Sequence, residues 1–281
     1  MTITDTVTAT IITMLDYDFM RTAFAAGFIV ALVAGAVGYF LVLRALTFAG
    51  HALSHVGFAG ATGALLIGVG PLWGLLAFTL AASVAMGLLG ERLRGRDVAV
   101  GVILALSLGL GVLFLHFYTS HAVQAMTLLF GNVFGVGRDS LLDLGILAVL
   151  SLAALAVLSR PLIFATLDPE LAEARGLSLR LISVLFLLIV GVAVAEAVQV
   201  VGILLVFALM VGPAAAAQRL TYSLGRGVAL AMALAVAETW AGIALAYQTD
   251  WPPTFWITAL SAAVYLLSLA APRSVRRDDI A

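Results

Sequence analysis

Nine apolar runs, each about as long as a helix needs to be to cross a bilayer's hydrocarbon core, occupy most of this sequence. They read as helices over Phe19–Leu43, Ala52–Val69, Leu72–Leu89, Val98–Tyr118, Leu141–Leu158, Leu179–Ala195, Val200–Ala217, Gly227–Tyr247 and Thr254–Ala270. A further apolar piece, Ala122–Val136, is too short to cross and reads as interfacial or re-entrant. Within hydrocarbon, every backbone N–H and C=O needs a partner inside the protein, which leaves helices as the form such runs can take. The expected fold is all-α: a polytopic integral membrane protein of eight or nine transmembrane helices. The count turns on whether the segments around His51 and Gly131 are broken helices.

Composition narrows the function. Of 281 residues, 63% are hydrophobic and 10% charged, against about 25% charged in a soluble domain. One membrane domain over residues 1–281 is expected, with no linker. A net charge of −1 gives no reason to expect a nucleic-acid partner. There is no cysteine, so neither a disulfide framework nor a thiolate metal site can form. All fourteen basic residues are arginine. Without lysine there is no Walker A phosphate loop, and ATP-driven work would have to be done on another chain. Met1–Asp18 lacks a basic leader and carries Asp5, Asp16 and Asp18, so it does not read as a cleavable signal peptide.

The arginines orient the spans. With nine crossings, Arg92, Arg94 and Arg96, then Arg160, Arg175 and Arg180, then Arg219 and Arg226, then Arg273, Arg276 and Arg277 all fall on one side, the cytoplasm. The N-terminus, Gly70-Pro71, the His116–Arg138 connection, Glu196–Gln199 and Gln248–Pro253 fall outside, and Arg138 with them. Small residues at four-residue spacing, Gly27/Ala31/Gly35, Gly57/Ala61 and Gly101/Ala105/Gly109, suit close helix packing.

His51 and His55 lie four apart in A-G-H-A-L-S-H, which places both imidazoles on one helix face. Two imidazoles so placed can share a divalent metal, with Thr47 and Ser54 as candidate supports. The plainer alternative is two histidines at a helix start, bonded to backbone carbonyls. Neutral imidazole suits transition metals better than magnesium or calcium. Glu238, Glu196 and Gln199 lie in or beside apolar runs and are candidates for the pore or its gate, since a carboxylate at membrane depth needs a partner, a proton or a cavity. Asp143 reads as a wet helix-terminus residue, and His116 and His121, five apart, as solvated loop residues. Pro213 should kink the seventh span.

Arg160–Arg180 is the longest polar interruption. Within it, Asp168 suits an N-cap, Pro169 the first helical position, and Glu170 and Glu173 the early turns. Arg175-Gly176 reads as the stop. A helix of about two turns, capped at both ends in a cytoplasmic loop, is shaped to dock into a partner, or simply to turn the chain.

Several segments, taken together, resemble one family. V-L-R-A-L-T-F-A-G-H-A-L-S-H, D-V-A-V-G-V-I-L-A, L-F-G-N-V-F-G-V, L-D-P-E-L-A-E-A-R-G-L, V-Q-V-V-G-I-L-L-V-F-A-L-M-V-G-P-A-A-A-A and Y-Q-T-D-W-P-P-T occur in register between Asp16 and Ala271. They resemble the permease subunits of bacterial ABC importers for zinc, manganese and ferrous iron. The resemblance implies a homodimer with a central pore in the bacterial cytoplasmic membrane, not itself an enzyme. It implies a separate cytoplasmic ATPase as the consumer of ATP, and an extracytoplasmic metal-binding protein. It implies no permanently bound cofactor, only a metal ion in transit. It matches the coupling helix to Asp168–Leu177 and the pore motif to His51 and His55, and Asp97 also falls on a family position. His51 stands where many members carry Asp, which by ligand softness leans toward zinc over manganese. Two other classes stay open from the residues: a secondary transporter driven through Glu238 or Glu196, and a siderophore or cobalamin permease with a wide pore.

Overall fold

The structure is a computed structural model, described over residues 14–89, 96–117 and 129–270. The long helices among the described residues are α1 (Asp18–Leu43), α2 (Thr47–Leu66), α3 (Pro71–Leu89), α4 (Arg96–His116), α5 (Arg138–Leu167), α7 (Leu179–Val201), α8 (Ile203–Leu220), α9 (Leu224–Thr249) and α10 (Pro253–Ala270). A six-residue helix, α6 (Pro169–Ala174), joins α5 to α7, and a 3-10 turn covers Val133–Gly135.

Eight of these helices are long and apolar enough to cross a membrane, and α2 falls outside that set. Two imidazoles and a run of small residues lower its hydropathy, so the fold compensates by enclosure. α2 packs on α3, α4, α7 and α8, while α7 and α8 also pack on α1. α9 and α10 cover the other side of α1 and α8, and α5 lies along α1 and α7. α1 and α7 are the most enclosed of the eight, with about 72% and 67% of their central windows buried, against 17% for α4 and α10. The bundle is therefore two apolar pillars with α2 and α8 beside them, sheathed by helices whose outer faces suit lipid.

The small-residue stripes divide. Gly27 and Gly35 of α1 seat against Thr239, Ile243 and Met232 of α9, and Gly57 of α2 seats against Leu75 of α3. An added Cβ at Gly101 or Gly109 of α4 meets nothing within 4 Å, so among the described residues that stripe packs on no other helix.

Three boundaries depart from the sequence pattern. α2 begins at Thr47, which puts His51 inside an unbroken helix, where the apolar run alone placed it before the start. α5 continues through Arg160 and Pro161 to Leu167, so the polar interruption begins only at Asp168. α7 continues to Val201, so Glu196–Gln199 is a stretch of helix rather than an outer loop. At one end of the bundle, Asp18 sits between Arg21 and Arg138, at 3.9 and 3.6 Å. Arg21 thus joins Arg138 at this end, each facing the same carboxylate.

A single residue, Gly202, connects α7 to α8, with φ 80° and ψ 162°. That backbone is open to glycine and strained for L side chains. Gly131, also at positive φ, presses its own backbone against Val201 and Gly202, so the start of the Ala122–Val136 segment's described part caps this turn. Residues 122–128 of that segment lie outside the described residues.

Gly202→Ala should therefore cost more than the about 1–3 kcal/mol of strain in this glycine-only backbone region alone, because its Cβ would overlap the Gly131 amide nitrogen. Gly68 is the control: it has φ +74° and nothing within 4 Å of an added Cβ. Thermal unfolding in detergent should show the larger fall in Tm for Gly202→Ala. Equal falls would mean that the turn relaxes freely.

Candidate functional site

His51 lies in the second turn of α2, and His55 lies one turn further on. Their rings stand 4.7 Å apart between centroids at 81°. An ion about 2.0–2.1 Å from one nitrogen of each ring sits roughly 3.2 Å from each centroid, which separates the centroids by about 5 Å at a tetrahedral angle. The observed pair is close to that separation. Both histidines are half-buried and on one helix face.

Their surroundings are poor in donors. Ser54, an expected support, gives its hydroxyl proton to the Gly50 carbonyl within α2 at 3.2 Å. The Phe207 ring of α8 stands 5.1 Å from His51 at 74°, edge against face. Among the described residues, no group of three or more His, Cys, Asp or Glu could hold a metal ion together. The chain thus offers two imidazole nitrogens, and the remaining coordination positions need water or another molecule.

Glu196 and Glu238 are elsewhere. Glu196 is fully buried within α7, and neither carboxylate oxygen has a hydrogen-bond partner. Glu238 of α9 is 3% exposed and lies beside Ser261, whose hydroxyl is already given to the Ala208 carbonyl at 3.0 Å. Its carboxylate oxygens also lack a partner, as does the buried Thr239 hydroxyl. An ionised carboxylate in such a place carries a heavy desolvation cost, so each glutamate needs a proton, a partner or a cavity. Neither is gathered with the histidines into one cluster. Gln199 is half-buried in the last turn of α7. Pro213 lies inside α8, Asp97 in the first turn of α4, and Asp143 is exposed on α5. His116 is exposed at the end of α4, and His121 lies outside the described residues.

On the opposite end of the bundle from Asp18, α6 follows its local signals closely. Asp168 accepts from the Leu171 amide at 3.0 Å, with Pro169 at the first helical position. At the stop, the Gly176 amide bonds to the Glu173 carbonyl at 2.8 Å, and the Leu177 amide to Ala172 at 3.0 Å. With Gly176 at φ +83°, this is a Schellman closure. Ala172 is fully buried, while Leu171 is exposed, as are Leu167 before it and Leu181 after it. Glu170, Glu173 and Arg175 are exposed around them. A capped helix thus presents leucines and charges together, away from the bundle.

Phe207 and Gly202 carried no signal that spacing could expose. Phe207 belongs to an unbroken apolar run, and its place beside His51 depends on how α8 packs against α2. A groove of about 690 Å³ between α5 and α7 is lined by leucine, isoleucine, valine, alanine and Ser151; it contains no donor cluster and faces outward from the bundle.

A model of the ABC 3 transport family matches residues 16–272. The chain is 31% identical over 232 residues to the manganese transport system membrane protein MntC of Halalkalibacterium halodurans, covering 82% of this chain and 79% of that protein. It is 28% identical over 255 residues to the manganese import system permease protein ScaB of Streptococcus gordonii, covering 90% and 91%. Among solved structures, PsaBC from Streptococcus pneumoniae in complex with Fab superposes with a TM-score of 0.85 at 23% identity, over 95% of this chain and 97% of that one.

Proposed function

This chain belongs to the ABC 3 transport family, and we propose that it carries a divalent transition-metal ion, manganese or zinc, into the cytoplasm past His51 and His55. As a permease of a metal ABC importer in the bacterial membrane, it leaves nucleotide hydrolysis to a partner subunit. The observation that carries the finer reading is the imidazole pair itself: two neutral nitrogen donors on one face of the helix least suited to lipid. Membership in this family leaves no reason to favour a gradient-driven transporter. A siderophore or cobalamin permease has no use for two converging imidazoles.

The half-exposed face of α2 fits a second copy of the chain. Two nitrogens leave an ion incompletely ligated, and a homodimer with this face at its axis supplies two more. α6 is the contact for the cytoplasmic ATPase, through Asp168, Pro169, Glu170, Glu173, Arg175 and Gly176. An extracytoplasmic metal-binding protein delivers the ion to the side bearing Asp18. Relatives named for manganese and a His/His pair that leans to zinc by softness pull the choice of metal in opposite directions.

Replacing His51 or His55 with Ala should abolish ATP-dependent uptake in vesicles that hold the partner proteins, with assembly intact. Normal uptake by the double variant would sink the reading. Damage to α6 should uncouple rather than block. Ala172→Pro breaks a helix at about 3 kcal/mol or more, and ATPase binding and stimulated hydrolysis should fall together; persistence of both would remove α6 from the docking role. His51→Asp puts a hard anionic oxygen in place of a borderline nitrogen. It should raise manganese uptake relative to zinc and blunt the inhibition by acid that follows from protonating imidazole. Competition between the two metals across pH decides it, and an unchanged ratio with an unchanged profile makes His51 structural.

A further inference from the structure

On its α8 side His51 meets an aromatic ring, while on α2 itself Thr47, four residues before His51, puts a hydroxyl on the same helix face. Phe48 precedes His51 by three residues on α2, and Leu204 precedes Phe207 by three on α8; such pairs are neighbours on a helix surface. Phe48, Phe207 and Leu204 are 41%, 36% and 50% exposed, so these side chains lie at the surface rather than in the core. Phe207 meets the His51 ring directly, at 5.1 Å between centroids. The Ser54 hydroxyl is committed to Gly50.

An ion approaching His51 from the α8 side finds in the Phe207 ring nothing to replace the waters it would lose there. Imidazole nitrogen compensates a transition-metal ion for lost water, whereas magnesium holds its waters tightly and prefers oxygen. We propose that Phe207 is a specificity-determining residue: its ring disfavours hydrated magnesium at the imidazole pair by denying water a place on the α8 side of His51. This rests on the reading of His51 and His55 as the transit site. Softness of the ligands alone would favour a transition metal at equilibrium. The ring adds a second barrier, on hydration, that nitrogen donors do not provide.

The test uses the full chain with its ATPase and binding protein in vesicles, and initial-rate manganese uptake with external magnesium titrated. Phe207→Ser opens space and supplies a hydroxyl; Phe207→Leu keeps the wall apolar. Magnesium should inhibit the serine variant at concentrations about tenfold lower than wild type, with the leucine variant close to wild type. A serine variant that transports with the wild-type inhibition curve overturns the proposal.

Should the serine variant not transport, cobalt bound to the detergent-solubilised full chain decides through its visible spectrum. Wild type and Phe207→Leu should give the intense bands of a four-coordinate ion, and Phe207→Ser the weak bands of a water-rich, higher-coordinate one. Identical spectra for all three would overturn the proposal. His51→Ala with His55→Ala keeps the two failures apart. If that double variant still gives the wild-type cobalt spectrum, the transit site itself is wrongly placed, and the role of Phe207 falls with it.

Discussion

A helix carrying two imidazoles cannot face hydrocarbon cheaply, and the arrangement of this bundle follows from that. Polar side chains at membrane depth turn toward protein or water. α2, the long helix that misses the apolarity of the other eight, accordingly lies among α3, α4, α7 and α8. Small residues make the enclosure tight: α2 presents Gly57 and Gly60 to α3, where a Cβ at Gly60 would overlap the Gly74 carbonyl. Contacts of that closeness are how helices associate in lipid, where apolar burial gives no advantage over the acyl chains. One face of α2 stays half open, and it is the face bearing both histidines.

The second constraint is chemical. The described residues hold two deep carboxylates, Glu196 and Glu238, and both lack hydrogen-bond partners. Neither joins the histidines. These two carboxylates thus stand apart from the imidazole pair, so under the proposed function the ion's route past His51 would carry no fixed charge from them. A pair of imidazoles binds a dication less firmly than an anionic site would, which would suit such a route better than a storage site.

Much of this was legible in the sequence where the code is local. Asp168, Pro169 and Gly176 specify both ends of α6 through bonds spanning three to five residues, and those bonds form. The four-residue spacing of His51 and His55 fixed their shared face in the same way. What escaped depends on distant packing. Glu196 and Gln199 read as a polar break between two spans, but α7 runs through them because the bundle interior accepts a buried glutamate there. Arg160-Pro161 read as the end of the fifth span, yet α5 carries Pro161 in its interior and continues for six more residues. Phe207 meets His51 across more than 150 positions of sequence, a distance over which no spacing rule operates.

The one-residue junction at Gly202 leaves no slack between α7 and α8. A helix advances about 100° per residue, so a single residue added at that point and taken up as helix would rotate α8 as a whole relative to α7 and turn the Phe207 ring away from His51. Chain length at this turn is thus as strictly set as residue identity. A lineage could exchange side chains around the imidazoles one at a time, while insertions and deletions here would be closed to it.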